Sequence, residues 1–129
     1  MFKHVFALAH MATSAMAQDA MSGQEFAAYA TGHTLGYRIP PHDVYGTERY
    51  LPDQRVIWTT LSGRCIRGTW FESKDQICFR YDDDPAYKCW TFFEAGDDLT
   101  GYYMRDPSRE FLITPLADDA LFSCSDLNS

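Results

Sequence analysis

A chain of 129 residues that is 46% hydrophobic, 16% aromatic and 22% charged has the size of one domain and is too apolar to remain disordered. Its 11 basic and 18 acidic residues give a formal net charge of -7. That balance argues against the clustered Lys and Arg surface that tracks phosphates, so nucleic acid is not an expected partner.

The chain opens with Lys3 and His4, the apolar stretch Val5-Phe6-Ala7-Leu8-Ala9, and Ala15-Met16-Ala17 ahead of Gln18. A basic start, an apolar run interrupted by His10 and an A-x-A site make an export signal over residues 1–17, cleaved after Ala17, although the same segment also reads as an amphipathic first helix of the folded domain. The run is far shorter than the roughly 20 residues of a spanning helix, so no membrane span is expected. Residues 18–129 then form a single domain in a periplasmic or secreted setting, more acidic by the charge of Lys3.

Ser22-Gly23-Gln24-Glu25 is a capping box, and Phe26, Tyr29 and Ala30 follow at helical spacing before Gly32, which predicts one short helix over Ser22–Thr31. Beyond it come short β-branched and aromatic runs punctuated by Gly, Pro, Asp and Ser. Strands are expected over Thr34–Arg38, Thr47–Leu51, Arg55–Thr60, Arg64–Glu72, Gln76–Arg80, Lys88–Glu94, Leu99–Arg105 and Glu110–Thr114, with a further one near Leu121–Cys124. The connections are too short for parallel crossovers, so the fold class is mainly β. An antiparallel up-and-down meander should close into a small barrel or curled sheet, because closure hides the edges, with the short N-terminal helix plugging one end or covering a seam.

Register arithmetic orients the sheet. A turn at Ser73-Lys74 sets Thr69 opposite Cys78 and Gly68 opposite Phe79, and a loop over Asp82–Tyr87 brings Cys78 within two residues of Cys89. Ile66, Gly68, Trp70, Ile77, Phe79, Tyr81, Trp90 and Phe92 then share one face, with Cys78 and Cys89 on the other. The four cysteines show no C-x-x-C cluster of the kind zinc requires, and an even count in an exported domain favours disulfides. Of the three possible connectivities the register favours Cys78 with Cys89, which leaves Cys65 with Cys124.

Gly68-Thr69-Trp70 is a G-x-W of the kind seen near strands of lipocalin-like and avidin-like barrels. With Gly32-His33-Thr34, Tyr50-Leu51-Pro52-Asp53 and the Cys78/Cys89 hairpin, the stretch from Gly32 to Tyr103 resembles small secreted proteobacterial domains of unknown function. The resemblance implies a periplasmic or secreted β-domain and no activity. On the residues alone, Trp70 reads as a core aromatic, with Gly68 relieving a crowded strand.

Function is read from what could line a barrel. Trp70, Tyr81, Trp90 and Tyr103 are the candidate ligand-binding residues, for a small apolar molecule at an aromatic mouth, although small barrels are usually filled by their own side chains. The acidic surface would suit a cationic protein partner. The acidic clusters are Asp82-Asp83-Asp84, Asp97-Asp98 and Asp118-Asp119, and the first, which lacks the spacing and Gly of a calcium loop, reads as a solvated, edge-protecting loop. His33 and His42 accompany no nucleophile elbow, and neither a cofactor nor a metal is expected. The expected function is a non-enzymatic binding domain. The alternatives are a small hydrolase or isomerase with an acidic, Tyr and His site at the mouth, or a structural envelope protein. Convergence of His33, His42 and the Asp clusters on a pocket would favour catalysis, and their dispersal would favour binding.

Overall fold

The computed structural model describes Val5, residues 18–42 and 44–117, and Cys124. The expected export signal (Val5 apart), the Asp118-Asp119 pair and the further strand at 121–124 (Cys124 apart) lie outside the described residues. One helix, α1 (Gly23–Ala30), precedes eight strands: β1 (Thr34–Arg38), β2 (Val44–Leu51), β3 (Arg55–Thr60), β4 (Cys65–Ser73), β5 (Gln76–Tyr81), β6 (Asp84–Ala95), β7 (Asp98–Tyr103) and β8 (Phe111–Pro115). Each strand pairs antiparallel with the next, and β1 pairs with β8, so the meander closes into a barrel. Among the described residues no helix is long and apolar enough to cross a membrane.

The helix begins as its sequence dictates. The Ser22 hydroxyl accepts from the Glu25 amide and the Glu25 carboxylate accepts from the Ser22 amide, both at 3.1 Å. Gly32, at φ +85°, takes the left-handed turn into β1. Phe26 and Ala30, one turn apart on the buried face, enter the barrel end. The plug is tied down by the Met21 amide donating to Phe92 O (2.8 Å), the Gly32 amide to Tyr50 O (2.8 Å) and the Tyr29 hydroxyl to Asp97 O (2.8 Å). The core gathers round it: Leu35, Tyr50, Val56, Trp70, Ile77, Phe79, Phe92, Leu99 and Ile113 are all buried.

The inward face is the one the alternation assigned, but two registers differ from expectation. Gly68 pairs with Tyr81, Thr69 with Arg80 and Phe71 with Cys78, because the β4–β5 turn is Lys74-Asp75 rather than Ser73-Lys74. Both turn residues have positive φ (50° and 61°), the twist-matched two-residue hairpin, and a shift of two residues leaves every side chain on its face. Replacing Lys74-Asp75 by Asn-Gly, which adopts those angles more readily, is expected to stabilise the protein by about 0.5–1 kcal/mol in urea denaturation. The second difference is that no loop spans Asp82–Tyr87: the turn is Asp82-Asp83 and β6 begins at Asp84. Asp84 accepts the Ala86 amide (2.9 Å) and the Lys88 ammonium (3.0 Å), which carries the chain past Pro85 beside a bulge between Phe79 and Tyr81.

Both expected disulfides are present, Cys78–Cys89 between directly paired residues of β5 and β6, and Cys65–Cys124 tying residue 124 to the outside of β3 and β4 beside Ile57. Chain-entropy reasoning assigns such cross-links about 3–4 kcal/mol each at these separations. Gly68 is required where it stands, since a Cβ there would lie 2.5 Å from the Arg80 carbonyl oxygen.

Candidate ligand-binding site

The helix fills one end of the barrel, and the other end is open. There a cavity of about 260 Å³ lies among the ends of β1, β3, β5 and β7 and the beginnings of β2, β4 and β8, with β6 forming the remaining wall. It reaches the surface, because Tyr45 in its lining is 58% exposed while Glu48, deeper on the same strand, is 1% exposed.

Aromatic side chains make the wall. Tyr45, Trp58, Tyr37, Trp90 and Phe111 form a closed circuit in which each ring meets the next at centroid separations of 6.0, 5.5, 5.9, 4.9 and, back to Tyr45, 6.0 Å. Tyr103 leans on Trp90 at 5.4 Å, and Phe79 stacks on Tyr81. Gly46 makes room for the Trp58 indole, which a Cβ at that position would meet at 2.3 Å.

Polar groups sit at the floor and the rim. Glu48 is fully buried; one carboxyl oxygen accepts from the Tyr81 hydroxyl at 2.8 Å, and the other has no hydrogen-bond partner. Burial pushes its pKa up from 4.5 to about 8, against the opposing effect of the Tyr81 hydrogen bond. The Tyr37 and Tyr50 hydroxyls hydrogen-bond to each other, and burial holds both phenols, like that of Tyr81, well above the ordinary range and so neutral. At the rim Lys88 is paired with Asp84 (3.0 Å) and Asp83 with Arg64 (2.9 Å). The Lys88 ammonium also lies 5.5 Å from the Tyr81 ring centre.

Of the residues singled out in the sequence, Tyr81, Trp90 and Tyr103 line the cavity and Trp70 does not. Trp70 is late in β4, which runs toward the plugged end, and its ring meets Phe26 edge-on at 5.3 Å. His33 is exposed beside the helix, its carbonyl accepting from the Tyr50 amide, and His42 is exposed in the β1–β2 loop outside the lining. Asp97-Asp98 lies at the helix end, so of the described acidic-cluster residues only Asp83 reaches the cavity wall. Among the described residues no three His, Cys, Asp or Glu side chains gather as a metal site would require.

Glu48, Tyr37, Tyr45, Trp58 and Phe111 also line the cavity and are not among the candidate ligand-binding residues. The signal for Glu48 was present: counting by two from Tyr50 puts Glu48 and Gly46 on the same face, and a strand drawn back to Val44 would have carried that phase into the barrel. No protein-family model, curated protein or solved structure matches this chain.

Proposed function

We propose that the protein is an exported, non-enzymatic barrel that binds one small, flat, largely apolar molecule at its open end. The observation that carries this reading is the aromatic cavity opposite the plugged end, with a single fully buried carboxyl at its floor. Eight-stranded barrels are the size that holds one small ligand, and mostly apolar pockets with a few placed polar groups are the common form of such sites. Dispersal of His33, His42 and Asp97-Asp98 away from the cavity favours binding over the acid–base alternative. Two disulfides support residence in an oxidising compartment, where such cross-links persist.

The test is calorimetric titration with indole, together with mapping of amide chemical shifts. Indole has about nine non-hydrogen atoms, which at ~0.5 kcal/mol each gives a Kd on the order of 0.5 mM. One saturable site is expected, with shifts at Trp58, Tyr81 and Trp90 and none at Phe26. Ile66→Trp, which places a large ring in the cavity, should weaken binding about tenfold or more. Absence of saturation, or shifts centred on the helix, would refute the reading.

A further inference from the structure

We propose that the ligand is an organic cation, an aryl-alkyl amine whose ammonium group enters first and meets the unpartnered oxygen of Glu48 while its ring stays among the aromatic walls. This rests on the cavity being a ligand site and specifies the chemistry that the site selects.

Three observations point the same way. A buried polar atom without a partner is uncommon, and this one belongs to a carboxyl that lines a cavity, so a donor arriving through the mouth would complete it. The lining around it is aromatic, with Tyr37, Trp58 and Trp90 among its side chains, and indole rings are the best aromatic partners for a cation. The other charges of the lining are already matched, Lys88 by Asp84 and Asp83 by Arg64, so Glu48 is the lining group whose charge is left for the guest.

The alternative guest, a neutral molecule offering a carbonyl to the protonated carboxyl, would satisfy the same oxygen and draw nothing from the ring faces. A carboxylate guest would bring a second acid to Glu48 and should be rejected. The titratable groups facing Glu48 are Tyr81 on β5, Tyr37 on β1 and Tyr50 on its own strand, with Lys88 on β6, Tyr103 on β7 and Asp83 in the turn completing those of the cavity wall, together with Tyr45 at the rim. When the ammonium docks, the carboxyl O–H bond breaks, its proton passes to buffer and the carboxylate keeps the electron pair.

The experiment uses the full disulfide-bonded protein and a matched series read by calorimetric titration: 2-phenylethylamine, its neutral counterpart 2-phenylethanol, and phenylacetate, with indole as the cavity control. The amine should bind at least about tenfold tighter than the alcohol and the acid most weakly. Calorimetry in buffers of different ionisation heat should show net proton release on binding of the amine at pH 7, and affinity should rise from pH 6 to 8. In Glu48→Gln the amine-to-alcohol ratio should fall close to one and the proton release should vanish. Equal binding of amine and alcohol by the wild-type protein, with indole still bound, overturns the cation proposal and leaves the cavity reading standing. Failure of indole and of the whole series to bind overturns both.

Discussion

Phe26→Ala is expected to cost about 3–5 kcal/mol of stability and to detach the helix from the barrel. Phe26 is fully buried, stacked on Phe92 at 4.8 Å and edge-on to Trp70 and Tyr50 at 5.3 and 5.4 Å. Those partners lie on β2, β4 and β6, so the space left by the ring cannot be closed by any one of them moving. The helix has eight residues, too few to persist without its docked face, so the damage should spread to all of α1. Urea denaturation would measure the loss, and hydrogen exchange at Ala27–Ala30 would report local release. Phe26→Leu should cost roughly half as much as Phe26→Ala. A cost below about 1 kcal/mol for the alanine variant would show that the barrel end holds without its plug.

The second large effect is a dependence on pH. Glu48 titrates near 8 in the folded protein against an ordinary value of 4.5, so between those values the folded state binds the proton that the unfolded chain has released. Stability therefore falls as pH rises through that window: it is undiminished by Glu48 below about pH 4.5 and declines until about pH 8. The integrated cost is on the order of 5 kcal/mol. Glu48→Gln removes this dependence, so the gap between variant and wild type should widen in favour of the variant from pH 4 to 8 and then level off. Parallel denaturation series across that range would measure it, and a gap that stays constant with pH would show that Glu48 is not held protonated. A residue that weakens the fold at neutral pH while lining its cavity fits the usual trade between stability and binding.

Most of the barrel was legible because alternation survives errors of register. Ile66, Gly68 and Trp70, then Ile77, Phe79 and Tyr81, were placed inside from their spacing, and the Lys74-Asp75 turn moved the pairing by two residues without changing a face. That same parity set Cys78 and Cys89 outside within two residues of facing, and the earlier start of β6 at Asp84 makes them direct partners. Depth along the axis was less legible, since it depends on strand direction as well as face: Trp70 and Tyr81 point inward on adjacent strands, yet lie toward opposite ends. Asp84-Pro85 hid the start of β6 because a proline and an acidic run read as a loop until the Asp84 carboxylate is seen holding Ala86 and Lys88. Glu48 is hard to read from sequence because a charged residue inside a strand ordinarily faces water, and only the inward neighbour Tyr50 argues otherwise.

The outer cross-link between β5 and β6 makes one side of the mouth a fixed jaw. Tyr81 and Trp90 stand on strands that it holds together, so the width of that side of the mouth is set covalently before any guest arrives.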